Sequence, residues 1–264
     1  MVQVKDVARM LEAFAPAEMK MDFDNVGFLA GTGETEVTRV LTALDITDQV
    51  IDEAIESGAQ LIVSHHPLFF SLKAVTDADP VGRRVVRLLR AGLSAICVHT
   101  NLDAAEGGVN DALADALGLE NRQLLTVEGH MKDGTPYCIG REGWLARPVP
   151  LEEYLAFVTK TLNCGGLRYV PGGKPVHHVA VMGGAGGDDY QLALQKGCDT
   201  YVTADVKYHV FLECRAAGLN LIDAGHFNTE NVVVPVLAAR IQAEFPEISV
   251  QISSRHGQTE KYYC

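Results

Sequence analysis

Two adjacent histidines provide the first sign of chemistry in this sequence. His65 and His66 follow the apolar run at residues 61–64 and precede Pro67. Neighbouring side chains of a strand point in opposite directions, so both rings can bind neighbouring metal ions only if the chain leaves strand geometry there. Pro67 favours such a departure. Taken alone, the pair also fits one hydrogen-bonded core histidine beside one surface histidine.

Two similar segments each carry a histidine followed four residues later by a carboxylate. One segment ends in His99 and Asp103, and the other ends in His226 and Glu230. Each is preceded by Ala-Gly-Leu and a predicted strand. The similarity indicates a weak internal repeat and predicts two related α/β halves.

Histidine and carboxylate groups at several strand ends predict a metal centre. Ligands bind outside the carboxyl ends of strands in open α/β sheets, and imidazole and carboxylate suit several transition metals. Glu230 is the candidate carboxylate that bridges two ions, although a helix N-terminus would also explain it. Two divalent ions (Zn, Fe, Mn or Ni) are therefore the predicted cofactors. The predicted ligands are His65, His66, Asp103, His226 and Glu230.

The elements that must position these ligands alternate between strand and helix. Such alternation predicts an α/β fold with a mainly parallel sheet and with the metal site at strand ends between the halves. We expect lobes at residues 1–125 and 126–264, with a few antiparallel strands within 123–175. The predicted strands are Val40–Asp45, Leu61–Ser64, Ala95–His99, His178–Met182, Thr200–Thr203 and Asn220–Asp223. The predicted helices are 4–14, Gln49–Ser57, Val81–Ala91, Val109–Leu117, Glu152–Leu162, Tyr190–Lys196, Tyr208–Ala217 and Glu230–Glu244.

Composition narrows the class of protein. The 264 residues include 34 acidic and 22 basic side chains, a net charge of −12. This charge repels nucleic acid and anionic membranes, so neither is an expected partner. The N-terminus does not resemble a signal peptide, and no apolar run approaches the length of a membrane span. The six cysteines, Cys264 among them, include no C-x-x-C pair and are interpreted as reduced, mostly buried thiols of a cytoplasmic protein.

Other polar residues near predicted strand ends are weaker candidates. Glu230, Lys207 and His209 are candidate catalytic groups, and Asp205, Tyr208 and His99 are candidate substrate contacts; His99 is alternatively a group that orients Asp103. A solvated helix start explains residues 207–209 equally well. The glycine-rich run at 183–187 is interpreted as a tight turn, because the two aspartates that follow it would repel a phosphate. Arg255 and Lys261 can neutralise a phosphate but fit surface solvation better. His177 and His178 are interpreted as structural.

Five motifs together resemble the GTP cyclohydrolase I type 2 family, also called interacting-factor-three-like. They fall in the family's order and span nearly the whole chain. The motifs are Asp24-Asn25-Val26-Gly27, Ser64-His65-His66-Pro67-Leu68, His99-Thr100-Asn101-Leu102-Asp103, Thr203-Ala204-Asp205-Val206-Lys207-Tyr208-His209 and Gly225-His226-Phe227-Asn228-Thr229-Glu230.

The resemblance implies a two-lobed fold in a toroidal assembly, often a homohexamer. It implies that His65 and Asp103 hold one ion, that His66 and His226 hold the other, and that Glu230 binds both. The chain corresponds to the short form of the family, which lacks an inserted domain. The family name implies that metal-activated water opens the guanine ring of GTP.

These observations favour a dinuclear metal-dependent hydrolase that acts on a nucleotide or a related small molecule. One alternative is a non-catalytic metal-binding ring protein that stores or delivers metal or serves as a scaffold. Another is a dinuclear phosphoesterase, which requires cationic contacts to phosphate oxygens, and the sequence supplies few.

Overall fold

The computed structural model describes residues 1–263, and Cys264 lies outside the described residues. Contacts separate the chain into two compact units. The first contains residues 1–102 and 234–257, and the second contains residues 103–233 and the chain from Gln258 onward. The predicted boundary between residues 125 and 126 lies inside the second unit, because the C-terminal helix and strand return to the first. As a division into domains, the predicted boundary stays a prediction.

The helices follow the predicted amphipathic segments closely. They are α1 (Val4–Phe14), α2 (Asp48–Ser57), α3 (Pro80–Arg90), α4 (Thr100–Ala104), α5 (Val109–Ala116), α6 (Leu151–Thr161), α7 (Tyr190–Gln195), α8 (Tyr208–Ala217), α9 (His226–Glu230) and α10 (Val233–Glu244). Helix α2 has a capping residue at each end. The Thr47 hydroxyl accepts a hydrogen bond from Val50 N at the N-terminus, and Gly58 ends the helix with a φ of +69°.

One predicted helix is two helices. The segment Glu230–Glu244 was expected to be continuous, but α9 ends at Glu230 and α10 begins at Val233. Pro235 explains the interruption, since it has no N–H to donate to the carbonyl four residues earlier and is tolerated only in a helix's first turn. Glu230 is therefore the last residue of a short helix, and stabilisation at a helix N-terminus does not explain its presence.

The strands include all those predicted, to within a few residues at their ends. They are β1 (Gly27–Ala30), β2 (Arg39–Ala43), β3 (Leu61–Ser64), β4 (Ser94–Cys97), β5 (Glu120–Leu124), β6 (Gly129–His130), β7 (Pro136–Tyr137), β8 (Arg141–Val149), β9 (Arg168–Val170), β10 (Val176–Val181), β11 (Thr200–Thr203), β12 (Asn220–Asp223) and β13 (Ser249–Ile252).

The first unit contains a five-stranded sheet in the order β1-β4-β3-β2-β13. All neighbouring pairs from β4 to β13 are parallel, and β1 is antiparallel to β4. Strands β3 and β4 are buried throughout, as expected for a parallel sheet covered on both faces. Ile62 and Ala95 of the sheet pack with Ile51 of α2 and Leu88 of α3 in one apolar cluster.

The second unit contains a six-stranded sheet in the order β5-β8-β10-β11-β12-β9. Strands β10, β11 and β12 are parallel to one another, whereas β5, β8 and β9 are each antiparallel to the strands beside them. Antiparallel strands were predicted within residues 123–175. Separate apolar clusters contain alternate residues of β10, with Val179 in one and Ala180 in the other. The α/β fold with mainly parallel sheets is thus confirmed.

The internal repeat predicted from the sequence is visible in the order of elements. Twice along the chain a parallel strand leads through a helix to a second parallel strand and then to a five-residue helix: β3-α3-β4-α4 and β11-α8-β12-α9.

Among the described residues, no helix has the length and apolar character needed to cross a membrane. The cysteines at 97, 138, 198 and 214 are buried and Cys164 is half-buried.

Candidate metal centre

The chain leaves strand geometry at His65, as the binding of neighbouring ions by adjacent histidines requires. Strand β3 ends at Ser64, whose hydroxyl donates a 2.7 Å hydrogen bond to the carbonyl oxygen of His66. The amide of His66 donates to the carbonyl of Leu44 over 2.8 Å. In this bend the two imidazole rings lie on one side of the chain, with their centroids 5.1 Å apart.

Each of these rings is oriented by an acceptor at Nδ1. His65 Nδ1 lies 2.9 Å from the carbonyl oxygen of Val98, and His66 Nδ1 lies 2.7 Å from Asp45 Oδ1. Because a carbonyl or carboxylate can only accept, Nδ1 carries the proton and Nε2 carries the lone pair in each neutral ring. Histidines that bind metal through Nε2 are oriented in this way.

His99 joins the two histidines in the first unit. Its ring centroid lies 5.2 Å from that of His65 and 5.5 Å from that of His66. Ligand atoms of the three rings lie within 4.8 Å of one another, close enough for one cation to draw them together. His99, which the sequence did not place among the five ligands, therefore lies directly beside two of them.

Asp24 orients His99. Its Oδ1 accepts from His99 Nδ1 over 2.8 Å, and its Oδ2 accepts from the amide and hydroxyl of Thr100 at 3.0 and 2.5 Å. Burial alone would raise the pKa of Asp24, but the hydrogen bonds from His99 and Thr100 outweigh burial and hold the pKa well below its usual range. The carboxylate stays ionised and fixes the ring of His99.

The second unit contains two buried carboxylates from the predicted set. Asp103, its first residue, is 6% exposed, and Glu230, at the end of α9, is 3% exposed. The carbonyl of Asp103 accepts a hydrogen bond from the side chain of Asn110. Carboxylates are rarely buried unless a charge partner or a metal ion compensates them, so both are suited to a cation.

His226 lies between two carboxylates. Its Nδ1 donates to Asp205 Oδ2 over 2.8 Å, and its Nε2 lies 3.0 Å from Glu230 Oε2. Burial alone would lower the pKa of His226, but the hydrogen bonds and charges of Glu230 and then of Asp205 raise it to about 9. A proton on Nε2 faces Glu230 Oε2, and a metal ion in place of this proton would contact both the imidazole and the carboxylate. Asp205 orients His226, and its predicted contact with substrate stays a prediction.

The glycine-rich run at 183–187 makes room for Glu230. The amides of Gly183 and Gly184 donate to Asn110 Oδ1 and Thr229 Oγ1, so these two amides are engaged within the protein and do not form a phosphate nest. Gly184 has a φ of +64°, and a Cβ there would lie 2.0 Å from Glu230 Oε1. The run is the tight turn that the sequence predicted, and a side chain at residue 184 would collide with the carboxylate of Glu230.

The candidate residues at the start of α8 are exposed. Lys207 donates to Asp188, Tyr208 is 78% exposed, and His209 is also at the surface. These positions fit the alternative of a solvated helix start, and catalytic or substrate roles for them stay predictions. The phosphate contact considered for Arg255 is similarly occupied, since its guanidinium pairs with Glu56.

A buried arginine supports the chain next to Asp103. Arg141 is 4% exposed and donates from Nε to Asp111 Oδ1 over 3.0 Å. Its Nη2 also donates to the carbonyls of Ala104 and Ala105, which directly follow Asp103. Sequence reasoning missed Arg141 because Asp111 and Ala104 lie 30 and 37 residues away from it along the chain. It also missed Asp45, which a search for carboxylates just beyond strand ends would have found, since β2 ends at Ala43.

The comparisons agree with the resemblance seen in the motifs. Residues 2–259 match the family described as Duf34/NIF3 (NGG1p interacting factor 3). A Clostridium acetobutylicum protein called "GTP cyclohydrolase 1 type 2 homolog" is 33% identical over 251 residues, covering 94% of this chain and 93% of that protein. A Streptococcus pneumoniae protein with the same name is 34% identical, covering 89% and 88%.

Solved structures have the same fold. A Bacillus cereus protein related to NIF3 superimposes with a TM-score of 0.92 at 25% identity, covering 99% of each chain. A Staphylococcus aureus hypothetical protein superimposes with a TM-score of 0.91 at 30% identity, also covering 99% of each chain.

Proposed function

The chain belongs to the Duf34/NIF3 family, and from this premise we propose that it is a dinuclear metal-dependent hydrolase acting on a nucleotide or a related small molecule. The proposed ligands are those predicted from the sequence: His65 and Asp103 for one ion, His66 and His226 for the other, and Glu230 as the bridge. The names of the two bacterial relatives support the reaction class.

One observation carries the metal assignment. A backbone carbonyl or a carboxylate holds Nδ1 of every histidine in question, namely His65, His66, His99 and His226. A single histidine can have an acceptor at Nδ1 for structural reasons alone. Here four rings have the same nitrogen held, and this is the orientation of histidines that bind metal through Nε2. Divalent ions bound there would lower the pKa of a water molecule and polarise the carbon that it attacks.

The chain's own residues have defined roles under this proposal. Asp45 and Asp205 orient their histidines and raise the basicity of Nε2. Glu230 is buried against Gly184, and this restricted position supports the proposal that its carboxylate bridges the two ions. His99, held by Asp24, is the candidate for proton transfer to or from the substrate, with Lys207 and His209 as the weaker candidates from the sequence.

Metal content tests the ligand assignment. We expect elemental mass spectrometry to find about two ions per native chain and a large loss of metal in Glu230→Ala. Glu152→Ala is the matched control, because it removes an exposed glutamate of α6 in the same unit. No bound metal in the native protein, even after refilling with Zn, Mn and Fe, would contradict the proposal.

Turnover tests the reaction. Metal-loaded protein is expected to change the ultraviolet spectrum of the guanine ring of GTP, and a nucleotide that binds should raise the melting temperature. His99→Gln should reduce turnover while metal content stays at the native level. If neither GTP, other nucleotides nor phosphate esters react with fully loaded protein, the hydrolase assignment is wrong.

A non-catalytic metal-binding ring protein is the second candidate. The net charge of −12 opposes a triphosphate, and Lys207 and Arg255 are engaged by Asp188 and Glu56. The same pairing weighs against a phosphoesterase. A large rise in melting temperature with metal but none with nucleotides would favour this candidate.

The proposal includes a toroidal homohexamer and a cytoplasmic location. The hexamer is supported by the resemblance of the motifs, and the location by the free thiols of Cys138, Cys164, Cys198 and Cys214. Native mass spectrometry should give a species of six 28.5 kDa chains. A monomer or dimer at micromolar concentration would overturn the hexamer without touching the ligand assignment.

A further inference from the structure

A second group of metal-binding side chains lies within the second unit. Glu142, His178 and Cys198 each offer one ligand atom, and these atoms lie within 4.8 Å of one another. Glu142 and Cys198 are each 3% exposed, and the side chain of His178 is 15% exposed. A carboxylate, an imidazole and a thiol are the three kinds of donor that Zn²⁺ uses in proteins.

This group is at the opposite end of the sheet from His226 and the 183–187 turn. His178 lies near the beginning of β10, and Cys198 lies two residues before the first residue of β11. Gly183 and Asp205 instead follow the ends of the same two parallel strands. The group is therefore separate from the ligands proposed above, and none of its members belongs to that set.

The sheet holds the donors in place. His178 pairs with Trp144 across β8 and β10, and the two rings stack with centroids 4.2 Å apart and planes inclined by 12°. His178 Nε2 lies 2.7 Å from Glu142 Oε2. The amide of His178 donates to Asp199 Oδ2 over 2.8 Å, which fixes the backbone between the imidazole and the thiol. An arrangement of this kind is preorganised for a ligand.

Lys196 is the group that a cation would displace. Its ammonium lies 2.7 Å from Glu142 Oε1 and compensates the buried carboxylate. The side chain of Lys196 is 37% exposed, so it can turn into solvent without leaving a buried charge of its own. A divalent ion bound at Glu142 would replace the ammonium of Lys196 as the positive charge beside this carboxylate.

We propose that Glu142, His178 and Cys198 form a mononuclear site for a thiophilic divalent cation, with Zn²⁺ as its representative. Donors around a tetrahedral zinc ion lie roughly 3.3–3.8 Å apart, so side-chain movements of about 1 Å are enough to close the site. On binding, a metal–sulfur bond replaces the S–H bond of Cys198 and the thiol proton passes to solvent. The fourth position is left to water.

Cobalt is the probe that separates this site from the first one. Co²⁺ bound to a thiolate gives an intense near-ultraviolet charge-transfer band, which a centre of histidines and carboxylates does not give. We expect metal-stripped, full-length protein to develop this band with Co²⁺ and to lose it on addition of Zn²⁺. Cys198→Ser should abolish the band, and Cys214→Ser, which alters another buried thiol of the same unit, should keep it.

Two further variants test whether misfolding, instead of the loss of a ligand, explains the absence of the band in Cys198→Ser. Lys196→Met removes the competing ammonium, so it should tighten Co²⁺ binding several-fold, a gain that damage to the fold cannot produce. His178→Gln should weaken binding at least tenfold with unchanged circular dichroism. Absence of the band in the native protein, its persistence in Cys198→Ser, or unchanged affinity in Lys196→Met would overturn the proposal.

Discussion

Replacement of Gly184 by alanine tests whether Glu230 is a metal ligand. A Cβ at residue 184 would lie 2.0 Å from Glu230 Oε1 and 3.0 Å from its Cδ, whereas real Cβ contacts are essentially never shorter than 3.0 Å. The carboxylate must therefore move by about 1 Å. Functional groups in metal sites need to be placed to within about 0.5 Å, so a displacement of this size is enough to impair binding.

The backbone strain of the same substitution can be measured separately. Gly184 has a φ of +64°, and an L-residue in the left-handed region costs about 1–2 kcal/mol. Gly118 in the same unit has a φ of +72° and nothing within 4 Å of its virtual Cβ. Gly118→Ala therefore carries the same strain without the contact to Glu230.

We expect Gly184→Ala to lose about 10–100-fold in affinity for Zn²⁺, measured by competition with a chromophoric chelator. This loss corresponds to about 1.4–2.7 kcal/mol. Gly118→Ala should bind like the native protein, and urea unfolding of both metal-free variants should show the shared strain. Native affinity in Gly184→Ala, or equal losses in both variants, would refute the role of Glu230 as a ligand.

Two buried charges give further predictions. The depressed pKa of Asp24 stabilises the fold above its ordinary pKa of 3.8, and this stabilisation is lost as pH falls. Asp24→Asn should therefore cost about 2–3 kcal/mol in urea unfolding at pH 7 and less below about pH 4; an equal cost at both pH values would contradict this. Arg141→Leu should cost about 3–5 kcal/mol because it leaves Asp111 buried without its partner, and adding Asp111→Leu should restore part of the loss. A further loss in the double variant would contradict this explanation.

The strand ends could be predicted from the sequence because they depend on local patterns. The run at 61–64 is apolar and buried, and Pro67 follows the histidines, so the bend at His65 and His66 follows from neighbouring residues. The repeat of a histidine and a carboxylate four residues apart also survives in the structure, as α4 and α9. These are features that a few consecutive residues determine.

The groups that orient the ligands could not be predicted in the same way. Asp24 lies 75 residues from His99, and Asp45 lies 21 residues from His66. Each pair forms only when separate segments of the unit meet. The position of Asp45 just beyond a strand end marks it as a candidate, but no local pattern identifies His66 as its partner. The contact between Gly184 and Glu230 is of the same kind, since the glycine signals a turn in the sequence but not what fills its space.

The charges of the proposed centre restrict how a substrate can bind. Two divalent ions bring four positive charges, and the ligands Asp103 and Glu230 cancel half of them. The three orienting carboxylates Asp24, Asp45 and Asp205 outnumber the two positive charges that remain, although exposure of Asp45 and Asp205 weakens their effect. A centre close to neutral attracts a triphosphate weakly, and the side chains of Lys207 and Arg255 are already paired with Asp188 and Glu56. The ions are therefore better suited to an uncharged reacting group, such as a ring carbon attacked by water, than to direct binding of phosphate.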